Sequence, residues 1–414
     1  MTVMKRVVLL ASSQSYRTGD FVSAARLLGL DPVVATDAPP PLGAGQIQID
    51  LTEPAEAVAA IVALDPPADA VVAIDDQGVG IAALATTELG LLGNPPAAVA
   101  ATRDKLLMRR SLESAGVAQP AYGSALPGQA AAAASAIGFP VVVKPTGLAA
   151  SRGVIRADDV AAAKRAEVRI RSILSDAGAD PDQPLLVEEY LPGTELVVEG
   201  LVIDGALEVL ALIDKPDPLE GPYFEETLLV TPSRHPDAIQ DQAIALASAG
   251  IEALGIVTGP VHAEVRVAPN GGCRLLELAA RSIGGLCGRA LTFGLVGESL
   301  EVLILRAVLG RAPVDSALAR PAAGVLMLPI PGTGVLAGVE GLDEAAKVDG
   351  VDDINMTVTP GRRVAALPEG DRYLGFVFAS GLDADAVEAA LRRAAASITV
   401  VVDGEELPSV TPSA

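Results

Sequence analysis

The first hundred residues alternate short, almost uninterrupted apolar runs with segments of helical pattern, and this alternation constrains the fold more than any other feature. Apolar runs of this kind suit the strands of a parallel sheet that is buried on both faces. We predict strands at residues 7–11, 32–36 and 70–75, and helices at residues 20–30, 54–64 and 78–89. Such a strand–helix–strand series folds as a doubly wound α/β sheet.

The glycine motifs that often accompany such a sheet are missing. No Gly-x-Gly-x-x-Gly follows the first strand, so a nicotinamide enzyme is disfavoured. No Gly-x-x-x-x-Gly-Lys-Ser/Thr occurs anywhere in the sequence, so the chain is not a P-loop protein.

The net charge of the 414-residue chain is −22, from 30 Lys and Arg against 52 Asp and Glu. This charge repels phosphate backbones, so we expect no nucleic-acid partner. Cys273 and Cys287 cannot build a disulfide scaffold and lack the partners of a zinc site. With only His235 and His262, catalysis by several histidines is excluded. No apolar run reaches 18 residues, so we expect no membrane partner and a cytoplasmic protein.

The rest of the chain has a different pattern. Residues 117–310 predict a mainly antiparallel α+β region with a hairpin turn at Asp204-Gly205, and a third unit follows from about residue 320. The predicted strands are residues 141–144, 185–190, 196–203, 207–213, 262–267, 273–278, 324–328, 373–380 and 398–402. The predicted helices are residues 103–115, 128–137, 236–254 and 383–394.

Four segments combine residue types that suit nucleotide chemistry, and the first is residues 140–154. An apolar strand ends in Lys144 and continues into a loop of small residues between Gly147 and Gly153. Small residues let backbone N–H groups approach an oxyanion, so the loop and Lys144 could cradle phosphates. The alternative is a surface lysine followed by a flexible loop.

The second segment is residues 186–195, where an apolar strand meets the paired carboxylates Glu188 and Glu189 before a turn. An acceptor here, with backbone groups, could bind an adenine amino edge, and the later Glu195 could bond ribose hydroxyls. The alternative is a strand end with solvated acids.

The third segment is the hairpin that carries Glu264 and Glu277, thirteen residues apart on its two strands. Residues across a hairpin face each other when the register allows, and two facing carboxylates repel unless a cation joins them. Mg²⁺ prefers such hard oxygen ligands. The alternative is a pair of outward-facing acids on a half-exposed sheet.

The fourth segment is residues 279–288, a glycine-rich loop that contains Arg281, Gly284 and Gly285. An arginine suits a carboxylate or a developing acyl-phosphate charge. The alternative is a turn with a surface arginine.

These four features, in this order, resemble the ATP-grasp superfamily, in which two subdomains grip ATP. The resemblance implies that Lys105, on the helix near residue 103, and Lys144 bind the nucleotide phosphates. It assigns the mobile phosphate loop to residues 146–153, with Gly147, Ser151, Arg152 and Gly153. It also assigns adenine contacts to Glu188, Glu189, Tyr190 and Leu191, the ribose contact to Glu195, metal binding to Glu264 and Glu277, and the acyl-phosphate contact to Arg281.

The resemblance also implies three domains. Residues 1–102 match the Rossmann-like pre-ATP-grasp domain, and residues 103–310 match the two-subdomain ATP-grasp fold, with the lid at about residues 140–195. Residues 311–414 are expected to form a C-terminal α+β unit packed on the ATP-grasp core. One departure stands out, because Ala279 occupies the place where many members carry a metal-binding Asn.

Within the superfamily, the chain looks most like the carboxylate–amine ligases of the L-amino acid ligase, or dipeptide synthetase, branch. The segment around residues 223–232 points there, and Glu226 matches the residue that recognises the substrate amine. We group His262, Gly284 and Gly285 with the substrate-binding residues. His262 shares a strand face with Glu264, and a purely structural histidine is its alternative.

The resemblance implies an ATP-dependent ligase that uses Mg²⁺, or Mn²⁺ in its place, and forms an amide or peptide bond through an acyl phosphate. Its partners would be a small-molecule carboxylate and an amine, one of them an amino acid, and a homodimer is common among such ligases. The alternatives are a purine-biosynthesis or carboxylase-type ATP-grasp ligase and a non-catalytic nucleotide-binding regulator.

Overall fold

A computed structural model describes residues 4–38, 45–293, 298–310 and 321–410, and its first unit is a parallel sheet covered by helices. The elements of this unit are β1 (Arg6–Leu10), α1 (Thr18–Leu27), β2 (Asp31–Thr36), β3 (Gln46–Gln48), α2 (Pro54–Val62), β4 (Ala70–Ala73), α3 (Val79–Leu89), α4 (Pro96–Arg103) and α5 (Lys105–Ser114). The strand order is β3-β2-β1-β4, and all pairs are parallel, as predicted. Strand β1 is buried along Val7–Leu10, which explains its apolar run.

The predicted helix at residues 103–115 is wrong at its start. Arg103 ends α4, and Asp104 adopts an extended conformation between the two helices. The Asp104 carboxylate then accepts hydrogen bonds from the backbone N–H groups of Leu106 and Leu107, which is the geometry of an N-cap. Lys105 therefore occupies the first turn of a new helix.

The second unit is a four-stranded antiparallel sheet with two helices, here called the lid. Its elements are β5 (Tyr122–Ala125), α6 (Ala130–Ile137), β6 (Val141–Pro145), β7 (Ile155–Ala157), α7 (Val160–Asp176) and β8 (Leu185–Glu189), in the strand order β5-β8-β6-β7. Because β5 pairs with β8, this sheet includes residues before 140. Helix α7 was missed in the sequence, although Asp159 caps it and Ala163, Ala166 and Ile170 give it a buried face.

The third unit is built on an eight-stranded antiparallel sheet, called the central sheet. Its first elements are β9 (Thr194–Ile203), β10 (Ala206–Lys215), β11 (Leu228–Thr231), α8 (Asp237–Leu254), β12 (Gly259–Val267), β13 (Cys273–Ala279), α9 (Arg289–Phe293) and α10 (Leu300–Val308). The predicted turn between β9 and β10 is confirmed, since Asp204 and Gly205 both have positive φ, 50° and 79°. Positive φ at both central residues matches the twist of a two-residue hairpin.

The C-terminal residues contribute both to the central sheet and to a further sheet of their own. Their elements are β14 (Ala322–Leu328), β15 (Gly334–Glu340), α11 (Leu342–Ala345), β16 (Val351–Met356), β17 (Arg363–Val364), β18 (Gly375–Gly381), α12 (Ala384–Ser397), β19 (Thr399–Val402) and β20 (Glu405–Pro408). The central sheet runs β13-β12-β9-β10-β11-β14-β18-β16, so three of these strands extend it. The other strands form a fourth sheet, β17-β15-β19-β20. The predicted boundary after residue 310 adjoins residues 311–320, which lie outside the described ranges.

Packing between the units places the functional residues. One apolar core joins β1 and α1 of the first unit to α10 and to the central sheet, with Phe21, Leu303 and Phe376 among its members. Residues that follow the carboxyl ends of β1 and β4 line one cavity together with residues of the lid and of the central sheet. No helix in the described ranges is long and apolar enough to cross a membrane.

Candidate functional site

A cavity of about 700 Å³ lies where the first unit, the lid, the central sheet and the C-terminal strands meet. Every site residue predicted from the sequence lines it, with the exception of Gly153. Gly153 is buried beside the cavity, and its N–H donates to the carbonyl of Pro368 at 2.9 Å. The four segments picked out in the sequence thus converge on one place.

Lys144 and Glu188 form a buried ionic group with Arg109 at one end of the cavity. Lys144 Nζ and Arg109 Nε each lie 2.5 Å from a different oxygen of the Glu188 carboxylate. Burial alone would raise the pKa of Glu188, but the two cations outweigh it and hold this pKa below its usual value. Two cations share one anion, so this end of the cavity keeps a positive charge.

Lys105 contacts the loop of residues 146–153. Its Nζ donates to the carbonyl of Leu148 at 3.0 Å and lies 3.3 Å from a Glu277 oxygen. The loop itself is held in an unusual conformation, because Ala150 and Ser151 have φ of 57° and 54°. Lys105 thus connects the loop to the carboxylate strand β13.

Arg152, in the same loop, has a donor without a partner. Its Nε is buried and makes no hydrogen bond to any described residue. A buried unpaired donor costs free energy unless a ligand or water satisfies it. Because Arg152 lines the cavity, this donor favours an anionic ligand there.

The hairpin of β12 and β13 has the register that the sequence predicts. Glu264 and Glu277 are directly paired across it, with a bulge after Glu264. Their side chains are 20% and 27% exposed, and both line the cavity, so the interpretation as outward-facing surface acids does not hold. Two oxygen ligands on facing strands fit a hard divalent cation.

A second ionic group, here called the Lys215 cluster, surrounds the end of β10. Lys215 Nζ lies 2.8 Å from oxygens of Glu195 and Glu264, and it also donates to Glu226. The three carboxylates bring one oxygen each within 4.8 Å of one another. Arg266 contacts Glu195 as well, at 3.1 Å. Two permanent cations therefore face three carboxylates.

The pKa values at the Lys215 cluster follow from this imbalance. Burial would raise the pKa of Glu264, but Lys215 and His262 hold it well below its usual value. Burial raises the pKa of Glu226, and the neighbouring charge of Glu264 adds to the rise despite Lys215. Within the Lys215 cluster, the charge of Glu226 is thus less fully balanced than that of Glu264.

His262 has a well-defined partner. Its Nδ1 lies 2.9 Å from Glu199, which is fully buried, and its Nε2 lies 3.5 Å from Glu264. The predicted common face of His262 and Glu264 is therefore confirmed. Burial alone would lower the pKa of His262, but both carboxylates raise it to about 9. The ring connects Glu264 to the interior of the central sheet.

Arg281 reaches across to the first unit. Its Nε donates to Asp76 Oδ2 at 2.8 Å, and its Nη1 donates to the carbonyl of Ser282 at 2.9 Å. Asp76 follows β4, and Arg103 also contacts it. Burial would raise the pKa of Asp76, but Arg281 and Arg103 hold it below its usual value. Arg281, Gly284 and Gly285 all line the cavity.

The adenine segment is only partly buried. Glu188 is 2% exposed, whereas Glu189 is exposed to solvent. The ring of Tyr190 lies under the guanidinium of Arg156, 4.1 Å from its centroid, and beside Phe224. Both oxygens of the Glu188 side chain are bound to cations.

Lys215, Arg109 and Asp76 were missed in the sequence. Lys215 ends an apolar strand, as Lys144 does, and the same signal could have found it. Asp76 follows β4 at the carboxyl edge of the parallel sheet, where ligands commonly bind. Arg109 gave no signal, because one arginine on an amphipathic helix is usually solvated.

Comparisons with known proteins show which families the chain is similar to. The ATP-grasp domain family matches residues 137–290, and the L-amino acid ligase C-terminal domain 2 matches residues 326–403. Alanine–anticapsin ligase of Bacillus subtilis (strain 168) is 30% identical over 52% of this chain and 49% of its own length. Dapdiamide A synthase of Enterobacter agglomerans is 32% identical over 63% of each chain. The matched region thus spans about half the length of alanine–anticapsin ligase.

The whole fold has a solved counterpart. The crystal structure of L-amino acid ligase from Bacillus licheniformis superposes with a TM-score of 0.83, covering 96% of this chain and 99% of that one at 22% identity. The match includes the C-terminal strands that extend the central sheet. The chain therefore carries an ATP-grasp domain, at residues 137–290, followed by the C-terminal domain of L-amino acid ligases, at residues 326–403.

Proposed function

We propose that this protein is an ATP-dependent carboxylate–amine ligase that forms an amide or peptide bond and releases ADP and phosphate. The observation that carries the proposal is the convergence, in one cavity, of Lys105, Lys144, the Glu264–Glu277 pair and Arg281. Cations for a nucleotide and carboxylates for a metal are brought together with an arginine suited to an acyl phosphate.

The nucleotide would bind between the lid and the central sheet. Lys144 is fixed by Glu188, and Lys105 by Glu277 and Leu148, so both ammonium groups are positioned before the phosphates arrive. The unpaired Nε of Arg152 gives the phosphate loop a further donor. Preformed donors lower the ordering cost of binding and of reaction.

The residues present also fit a divalent cation. Glu264 and Glu277 would hold Mg²⁺, or Mn²⁺ in its place, and the cation would neutralise charge on the transferred phosphoryl group. Ala279, where many relatives in the superfamily carry Asn, supplies no ligand atom. The neighbouring surplus of negative charge around Lys215 favours cation binding at this end.

An amino acid is the substrate that the Lys215 cluster suits. Glu226 lacks a full counter-ion and lines the cavity, so a substrate ammonium group would complete its pairing. Activation of a carboxylate as an acyl phosphate, followed by attack of an amine, needs no protein nucleophile. The chain's task is to hold both substrates and exclude water, which the lid above the cavity would do. A homodimer, as in many such ligases, is part of the same proposal.

The test is a screen of amino acids, singly and in pairs, for ATP-dependent release of ADP. We expect release that requires two amino acids and Mg²⁺, with a dipeptide as product by mass spectrometry. Glu277→Ala should abolish this release, while Glu252→Ala, an exposed change on α8, should leave it unchanged. Turnover of Glu277→Ala at the wild-type rate would refute the metal assignment.

Two other outcomes would replace the proposal. Release that needs bicarbonate or a phosphorylated amine, and not a pair of amino acids, would indicate a carboxylase or purine-pathway ligase. Nucleotide binding without turnover on any substrate would indicate a regulator.

A further inference from the structure

Asp76 belongs to the first unit, yet its side chain reaches the reaction region of the cavity. It lies beyond the carboxyl end of β4 and lines the cavity together with Arg281. Its Oδ2 accepts the hydrogen bond of Arg281 Nε at 2.8 Å, across 205 residues of sequence. The side chains of Asp76 and Arg281 are 31% and 17% exposed, so the pair is partly shielded from water.

The two hydrogen bonds of Arg281 fix its guanidinium plane. Nε is bound to Asp76, and Nη1 is bound to the carbonyl of Ser282 at 2.9 Å. Because the guanidinium is planar and rigid, these two bonds determine where its remaining donors point. Nη2 has no hydrogen-bond partner among the described residues, so it is available to a ligand in the cavity that Arg281 lines.

The pairing is not needed to hold the two units together, since other contacts do so. Arg289 forms a two-bond ion pair with Asp20 of α1, at 3.0 Å for each bond. Arg17 is buried and bonds Ser282, Ile283 and Glu301. These contacts connect the same parts of the chain, and Asp20 and Arg289 do not line the cavity.

We propose that Asp76 is a positioning residue that aims Arg281 at the acyl phosphate, so that the first unit takes part in the chemical step. The inference rests on the proposed ligase function. It goes beyond that function in giving the parallel sheet of residues 6–73 a role in the reaction through one carboxylate. Arg103, which also contacts Asp76 and precedes the Lys105 helix, connects this carboxylate to the nucleotide side.

The test compares Asp76→Ala and Asp76→Asn with the matched change Asp20→Asn. We expect kcat of Asp76→Ala to fall about 10- to 100-fold, while the KM for ATP changes by less than about 3-fold. Asp76→Asn keeps an oxygen that can accept the hydrogen bond of Arg281 Nε, so its kcat should fall less than that of Asp76→Ala. Asp20→Asn removes the charge of an ion pair between the same units and should keep kcat within about 2-fold of wild type.

Two results would overturn the proposal. One is a kcat of Asp76→Ala within about 2-fold of wild type, and the other is an equal loss in Asp20→Asn, which would mean that the pair only docks the units. Circular dichroism and thermal unfolding of each variant check that the fold is kept, and Asp76→Asn, which is isosteric, serves if the alanine variant fails to fold.

A second measurement does not depend on ligase activity. The Nε–H resonance of Arg281, identified by its loss in Arg281→Lys, should be protected from solvent exchange in wild type and in Asp20→Asn. It should shift and exchange faster in Asp76→Ala. If the wild type forms no amide with any substrate pair, the proposed function fails, and this resonance alone tests whether Asp76 positions Arg281. An unchanged resonance in Asp76→Ala would disprove that Asp76 positions Arg281.

Discussion

Glu188 and Glu226 line the same cavity, and their pKa values move in opposite directions. Glu188 is the more deeply buried of the two, yet its pKa is lowered, because Arg109 and Lys144 both contact it. Glu226 shares Lys215 with two other carboxylates, and its pKa is raised. The number of cations per carboxylate, more than burial, decides the sign. One end of the cavity therefore has more cations than carboxylates, and the other has several carboxylates around one lysine.

Lys215→Met should have the largest effect on stability. Removal of this ammonium leaves Glu195, Glu226 and Glu264 close together, with Arg266 beside Glu195 and His262 beside Glu264 as the remaining cationic partners. Loss of one partner from a buried ionic group costs about 3–5 kcal/mol. Urea unfolding would measure the change in free energy of unfolding, with the exposed Lys347→Met as control. A loss below about 1 kcal/mol would mean that the cluster is solvated and not buried.

Glu188→Gln and Glu226→Gln make the same chemical change at the two ends, and their effects should differ. Glu188→Gln leaves Arg109 and Lys144 without a carboxylate, so we expect a loss of about 2–4 kcal/mol. Glu226→Gln relieves repulsion with Glu264 and should change the free energy of unfolding by less than about 1 kcal/mol. Equal losses in the free energy of unfolding, measured by urea unfolding, would show that the two ends of the cavity do not differ in how their carboxylates are balanced.

Glu225, next to Glu226, tests the effect of a missing counter-ion through the pH dependence of stability. Burial without a counter-ion raises the pKa of Glu225 to about 7. A raised carboxyl pKa stabilises the folded state fully below about pH 4.5, and this contribution is lost as the pH rises through 7. We expect the free energy of unfolding of wild type to fall by about 1–2 kcal/mol between pH 5 and 8, a loss that Glu225→Gln should not show. The loss is kept this small because Glu225 is partly exposed to solvent.

Urea unfolding of wild type and Glu225→Gln at pH 5, 6, 7 and 8 measures this difference. Glu220→Gln, an exposed change in the same loop, controls for the loss of one negative charge. Parallel pH profiles for wild type and Glu225→Gln would show that Glu225 is solvated.

Glu369→Gln should have the smallest effect, because it tests an ion pair outside the cavity. Arg169 of the lid makes two hydrogen bonds to Glu369, at 2.6 and 2.9 Å, and both side chains are about 40% exposed. An exposed pair contributes about 0.2–1 kcal/mol, so unfolding should change by no more than that. The loss should shrink in 1 M salt, whereas that of Glu188→Gln should persist. A salt-independent loss above 2 kcal/mol would contradict this view of the pair.

Much of the fold and site could be predicted where local pattern carries the information. The apolar runs of β1, β2 and β4 depend on continuous apolar stretches, and the turn at Asp204-Gly205 and the facing of Glu264 and Glu277 depend on two hairpins. Prediction failed where a cap or an amphipathic face competed with a longer helical pattern. Asp104 divides α4 from α5, and α7 was overlooked although Asp159 caps it.

The sequence by itself determined which segments carry chemistry, because a lysine at a strand end, a run of small residues and two acids thirteen residues apart are local signals. Only the tertiary structure decided which charges meet. Lys215 pairs with carboxylates 11, 20 and 49 residues away, and Arg281 pairs with one 205 residues away. Those pairings follow from the order of strands in the central sheet and from the docking of the parallel sheet against it. Coulomb interactions depend on distance through space and on burial, and neither can be read from spacing along the chain.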